Sequence, residues 1–293
     1  MNTTINENMQ DETVAKPPSS ADSDRLYDRE YFLKYCEGCT ILDAFDGTNP
    51  PLRLRVSFER ANPRQGERVL DVGCGRGELS FYAAYKGLRV WGVDYSADAI
   101  SMAEEIKQRL LRPECQTVEF RLTRDWSSEF PPESFDIVFL CDVVEHVYPH
   151  ELDEMLQTAY RYLVPGGRLI IHTHPNRFIG GATRALIRNR FLQATVFKLY
   201  ARLLGMRSLN PNVADVHVNE QSLGTLGAAM AKTSFQYRVW SEHFIAPEQK
   251  RSLPTLIRKI VFFGWPFTAV WPLSIIFAND LWAVGVKPGK PDK

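Results

Sequence analysis

The chain has 293 residues, with 35 Lys and Arg against 35 Asp and Glu and a formal net charge of +0. That length accommodates one large α/β core with insertions or two small domains. The balanced charge excludes the global basic field that marks many nucleic-acid binders.

The first 25 residues are polar, include Pro17-Pro18-Ser19-Ser20 and lack the basic start and apolar run of a secretory signal. A disordered tail and a cytoplasmic protein are therefore expected. Cys36-Glu37-Gly38-Cys39 has metal-knuckle spacing, but no second pair matches it, so structural zinc is not expected. Val69-Leu70-Asp71-Val72 reads as a buried strand running into the turn Gly73-Cys74-Gly75-Arg76-Gly77, with a helix over 78–86 behind it. Glycine tolerates positive φ and lets a ligand approach bare backbone, so such a corner suits a nucleotide-like group. A second short strand, 89–93, ends at Asp94, where a carboxylate can accept from ribose hydroxyls.

Next come a helix over 97–110 and strands over 117–122 and 137–141. A helix over 151–163 closes at Pro165-Gly166-Gly167 and turns into a strand over 168–173. Alternating β and α elements imply a parallel sheet with helices on both faces and ligands beyond the carboxyl ends of the strands. Asp71, the glycine turn, Asp94, Asp125, Asp142 and His172 all fall at those ends.

After residue 173 the pattern breaks. Residues 176–214 contain no acidic side chain but carry Arg177, Arg184, Arg188, Arg190, Lys198, Arg202 and Arg207 among aliphatic and aromatic groups. This is a basic amphipathic segment, suited to an anionic membrane surface or an anionic ligand, or an ordinary helix capping the core. Residues 260–279 are uncharged and long enough to span a bilayer. Pro266 and Pro272 interrupt them, and 281–286 reads as a last strand pairing with 235–240. A span would separate those partners, so an interfacial or re-entrant insertion, or an apolar cap, is expected instead.

The Gly-x-Gly-x-Gly turn after an acidic strand end, Asp94, the Asp142-Val143-Val144-Glu145-His146 stretch and the Pro-Gly-Gly corner together resemble class I S-adenosylmethionine-dependent methyltransferases. In arrangement they are most similar to the ubiquinone-biosynthesis O-methyltransferases. The Tyr31-Phe32-Leu33-Lys34-Tyr35-Cys36-Glu37-Gly38 stretch also resembles polysaccharide-cluster methyltransferases. The resemblance implies a Rossmann-like α/β fold, with a mostly parallel seven-stranded sheet and two apolar insertions. The implied organisation is a tail at 1–25, a helical lid at 26–66 and a cofactor-binding core at 67–176. A basic insertion and helix follow at 177–234, then a C-terminal strand pair at 235–293 with an apolar insertion at 245–280.

By the same resemblance, Gly73, Gly75 and Gly77 hold the amino-acid end of S-adenosylmethionine, and Asp71 steadies that loop or meets the cofactor's ammonium, directly or through water. Asp94 takes the ribose, Tyr95 stacks on the adenine, Asp125 and Trp126 lie near its amine, and Asp142 passes the methionine part. His146 is the candidate general base, with Glu145 tuning it. In an alternative use of the same residues, Asp142, Glu145 and His146 bind a divalent metal, with His217 completing the set. His172 and His174 face the acceptor side, where they either line the pocket or catalyse. The expected acceptor is a lipid, lipid-linked or small-molecule hydroxyl. The competing readings are a nucleic-acid methyltransferase and a non-catalytic membrane-associated scaffold. Asn49-Pro50-Pro51 reads as a loop rather than a base-gripping motif, because Leu52 stands where a stacking aromatic would be needed.

Overall fold

The structure, a computed structural model, describes residues 26–34, 36, 42–178, 217–242, 275 and 278–289. In chain order the elements are helices α1 (Arg29–Lys34) and α2 (Leu52–Arg60), strand β1 (Arg68–Val72), α3 (Glu78–Tyr85), β2 (Arg89–Asp94) and α4 (Ala97–Arg109). They continue with α5 (Pro113–Gln116), β3 (Glu119–Leu122), β4 (Phe135–Cys141), α6 (Pro149–Tyr162), β5 (Leu163–Thr173), α7 (Leu223–Ala231), β6 (Gln236–Glu242) and β7 (Asp280–Val286).

The seven strands form one sheet in the order β3-β2-β1-β4-β5-β7-β6. The first five are parallel, and β7 lies antiparallel between β5 and β6. The expected seven-stranded, mostly parallel α/β sheet is thus found, as is the expected pairing of the two C-terminal strands.

Alternation along the strands builds two cores, because successive side chains point to opposite faces. Val69, Ile137, Phe139 and Ile170 face α2, α3 and α4 through Phe58, Phe81 and Met102. Leu70, Val138, Leu140, Leu169 and Ile171 face α6 and α7 through Leu156, Tyr162 and Met230. Burial on both faces explains why these strands read as continuous apolar runs. α4 begins at Ser96, whose hydroxyl accepts from the Ala99 N–H at 3.1 Å and so satisfies an otherwise unpaired donor.

Most boundaries shift by one or two residues from the sequence reading, and two of the differences have a visible cause. The strand expected over 117–122 is Glu119–Leu122, because Pro113 opens the short α5 just before it. β5 starts at Leu163 and includes Pro165-Gly166-Gly167 as an irregularity: Phe135 pairs Leu163, and regular register resumes at Ile137 with Arg168. Gly166, at φ 80°, donates its N–H to the Lys287 carbonyl, tying this kink to the end of β7.

The basic stretch falls largely outside the described residues, as does most of the apolar insertion. Among the described residues no helix is long and apolar enough to cross a membrane.

Candidate functional site

The chain runs outward from β1 to β2 and β3, then returns to place β4 against the other side of β1. That reversal opens a crevice at the carboxyl ends of β1 and β4, the place where open parallel sheets bind ligands. Three loops meet there. The first, residues 73–77, is pinned across β2: the Gly73 and Cys74 N–H groups donate to the Val93 carbonyl at 2.8 and 3.1 Å. The Gly75 N–H donates to Asp94 Oδ2 at 2.9 Å, and the Ser96 N–H donates to Asp94 Oδ1 at 2.9 Å. Asp94 therefore organises both its own turn and the glycine loop. Burial raises its pKa against these bonds. Asp71 beneath is buried, accepts from the Ser80 hydroxyl at 2.6 Å, and is pushed by burial up to about 7.

The three glycines do different work. A Cβ at Gly73 (φ +69°) would lie 2.5 Å from Val143 Cγ2, and one at Gly77 (φ +85°) would lie 2.7 Å from Phe120 Cζ. Both are needed by packing and by backbone conformation. At Gly75 (φ +53°) a Cβ would meet only Phe32 Cε1, at 3.7 Å, so this position opens toward the covering helix α1.

The second loop follows β4. Asp142 has φ 57°, a left-handed conformation that aspartate tolerates better than bulkier residues and that often marks functional turns. Its Oδ1 lies 2.6 Å from His172 Nδ1 and 3.2 Å from His174 Nδ1, and its Oδ2 lies 3.3 Å from the Arg53 guanidinium. Burial works against the Asp142 charge, but Arg53, His172 and His174 outweigh it and hold the carboxyl well below its usual range. His172 is fully buried, with Nε2 3.1 Å from Asp280 Oδ1; burial opposes its charge, yet Asp142 and Asp280 raise it to about 9.

Glu145 is fully buried and accepts from the Thr173 hydroxyl at 2.7 Å. Its carbonyl takes the Asn219 N–H at 3.0 Å, so it anchors the loop to β5 and to the segment after residue 216. His146 Nδ1 lies 2.8 Å from the Tyr27 hydroxyl, and its ring meets that of His217 edge-on at 4.9 Å.

The third element is the N-terminal segment. Tyr27 accepts from the Ser96 hydroxyl at its carbonyl (2.8 Å) and packs edge-on against Tyr95 at 5.6 Å. The Phe32 carbonyl accepts from buried Arg76 at 2.6 Å, and Arg29 pairs with Glu105 at 2.5 Å. Tyr27 thus bridges the loop after β2 and the loop after β4.

Of the residues singled out from sequence, Asp71, Gly73, Gly75, Gly77, Asp94 and Tyr95 gather around the first loop and the turn after β2. Asp142, Glu145 and His146 share the second. Asp125 and Trp126 are otherwise engaged. Asp125 is exposed and accepts from the Ser127 N–H at 2.9 Å, and the Trp126 ring packs against Tyr162 at 5.8 Å. The grouping of possible metal ligands also differs from the sequence expectation. Among the described residues Asp142 gathers with His172 and His174, ligand atoms within 4.8 Å of one another; the group does not include His146 or Glu145, although Glu145 Oε1 lies 3.8 Å from His174 Nδ1. The sequence reading passed over Arg53, Asp280 and Tyr27, each joined to the site from 89 or more residues away with no local motif to mark it.

Comparison with known proteins agrees with this geometry. Residues 70–171 match the family described as "Methyltransferase domain". Phosphoethanolamine N-methyltransferase 1 of Arabidopsis thaliana is 35% identical over 114 residues, covering 39% of this chain and 22% of the relative. The ubiquinone biosynthesis O-methyltransferase of Vibrio cholerae is 32% identical over 123 residues, covering 42% and 48%. The chain thus spans half or less of the length of these curated relatives.

Among solved structures, Haemonchus contortus phosphoethanolamine N-methyltransferase 2, in complex with S-adenosyl-L-methionine, superposes with TM-score 0.54 at 20% identity over 89% of this chain and 60% of that one. The [4+2]-cyclase SpnF superposes with TM-score 0.57 at 14% identity over 94% and 98%. These two likenesses concern the fold alone. Over residues 70–171 the chain is thus similar to methyltransferase domains, and the sheet around that stretch has their fold.

Proposed function

We propose that the protein is an S-adenosylmethionine-dependent methyltransferase that methylates a hydroxyl of a lipid, lipid-linked or small-molecule acceptor. One observation carries the reading: the open glycine backbone at Gly75 is bonded to Asp94 at the β1/β4 crevice, where the loop bearing His146 also sits. A carboxylate already fixed by two backbone N–H groups presents its remaining lone pairs without reorganisation, which suits a ribose diol. The residues present fit this cofactor, with Gly75 and Asp94 beside Tyr95 to hold it. When bound, S-adenosylmethionine supplies a methyl group on a sulfonium centre that is displaced in line.

The chain's own residues then align the acceptor, exclude water and take a proton. His146 can accept that proton at Nε2 only if Nδ1 carries the hydrogen, which requires Nδ1–H to donate to the Tyr27 oxygen. Tyr27 covers the site, and the arrangement in which its oxygen accepts from Nδ1–H is the one that leaves Nε2 free to take the proton. Glu145, fully buried and bonded to Thr173, holds the loop rather than touching the acceptor.

Similarity to an O-methyltransferase favours oxygen as the accepting atom, and the plant relative makes an amine the competing acceptor. The test incubates purified protein and methyl-labelled S-adenosylmethionine with membrane and soluble extracts, then partitions the label. Organic-phase label that withstands acid and base treatments which hydrolyse methyl esters, with the methyl on oxygen by mass spectrometry, supports the reading. Label on nitrogen shifts it to an amine acceptor, and absence of labelling together with absence of cofactor binding refutes it.

A further inference from the structure

The cluster at the ends of β4, β5 and β7 has the components of a metal site. Asp142, His172 and His174 offer ligand atoms within 4.8 Å of one another. Asp280 stands behind His172, with Oδ1 3.1 Å from Nε2, in the manner of a carboxylate that orients a ligating imidazole. A cation is nevertheless already there. From α2, Arg53 Nη1 lies 2.6 Å from His174 Nδ1 and 2.8 Å from Nε2, while Nη2 lies 3.3 Å from Asp142 Oδ2. The Arg53 side chain is only 13% exposed, so the guanidinium is built into the cluster rather than resting on it.

We infer that Arg53 is the resident cation of this cluster, holding Asp142 and His174 where a divalent ion would otherwise hold them and closing a latent metal site. A guanidinium suits that task because it stays charged and presents several donors in a fixed plane. Arg53 is on this account a positioning residue: through Asp142 it fixes the loop after β4 that also bears His146, the residue Tyr27 contacts. The consequence that methyl transfer needs no divalent ion rests on the function proposed above, whereas the binding consequence does not.

The test titrates the full-length chain, freed of metal by chelator, with MnCl2 and ZnCl2 by calorimetry. The wild type should show no binding that His174→Ala removes. Arg53→Ala should gain one site, at least about tenfold tighter than any binding by the wild type, because the like charge beside it is gone. Adding His174→Ala should abolish that gain. If Arg53→Ala does not fold, Arg53→Gln keeps the length without the charge and carries the same expectation, while Arg53→Lys should stay closed to metal. Wild-type binding that depends on His174, or charge-free variants that gain nothing, would overturn the inference. In the labelling assay, wild-type transfer should survive EDTA, and its loss in EDTA would overturn the catalytic consequence. Failure to bind S-adenosylmethionine would instead remove the proposed function and leave the metal titration to decide the rest.

Discussion

Gly73→Ala tests whether the first glycine of the turn is required by the protein's own packing. At φ +69° an alanine incurs the left-handed penalty of about 1–2 kcal/mol. Its Cβ would also lie 2.5 Å from Val143 Cγ2. Val143 is β-branched, with few rotamers into which to move, so the clash is relieved by displacing backbone, an overpacking cost of about 1–3 kcal/mol. The expected destabilisation is about 2–5 kcal/mol, read as a lowered urea midpoint at unchanged slope. Val143→Ala removes the clashing methyl. In a double-mutant cycle it should return the overpacking share, a coupling of about 1–3 kcal/mol, while the conformational share persists. A loss under about 1 kcal/mol, or a coupling near zero, would refute the packing argument and leave glycine 73 to be explained by a ligand alone.

Other consequences follow from the same geometry. Asp94→Ala should fold and lose affinity for S-adenosylmethionine in calorimetry, since it removes both the proposed ribose acceptor and the partner of the Gly75 N–H; unchanged affinity would sink the ribose assignment. His146→Ala should slow turnover with cofactor binding preserved, and Tyr27→Phe should slow it less, by removing the partner of Nδ1 without removing the base. Normal turnover in His146→Ala would make that histidine structural. His172, raised to about 9 by Asp142 and Asp280 against burial, gains its proton's stabilisation only in the folded state. With an unfolded value of about 6.5, that stabilisation is complete below about pH 6.5 and is lost as pH rises to about 9. The urea midpoint should fall across this window and the slope should flatten in His172→Asn; an equally steep fall in the variant would assign the titration elsewhere.

The parts of the fold legible in the sequence were those specified by local pattern. The strands containing Val69, Val93 and Ile170 are buried on both faces and appear as apolar runs, and Ser96 announces its helix by the cap it forms. The strand beginning at Leu163 was read five residues late because Pro165-Gly166-Gly167 looks like a terminator. Pairing with Phe135 on one side and the Gly166–Lys287 bond on the other carries the strand through the kink. Asp125 was singled out by position, and in the structure its Oδ1 accepts from the Ser127 N–H two residues on. No window of sequence contains the competition between a local cap and a ligand contact.

The two halves of the site differ in legibility for a physical reason. The cofactor side is made of backbone, and backbone shape is written locally as glycine and aspartate at short spacing. On the proposed acceptor side, Asp142 after β4 and His172 and His174 around the end of β5 are legible as strand-end residues, whereas Arg53 from α2 and Asp280 from β7 are delivered by elements distant in sequence. Even the legible half needed the structure to be interpreted. Glycine at 73 and 77 is demanded by Val143 and Phe120, so the glycine string by itself reports a tightly packed corner. The bond from Gly75 to Asp94 is what turns that corner toward a ligand, because it joins an open backbone position to a carboxylate held at the end of the neighbouring strand. A chain with the same glycines and no acid at 94 would keep their packing against Val143 and Phe120 and lose the reason to assign the corner a nucleoside.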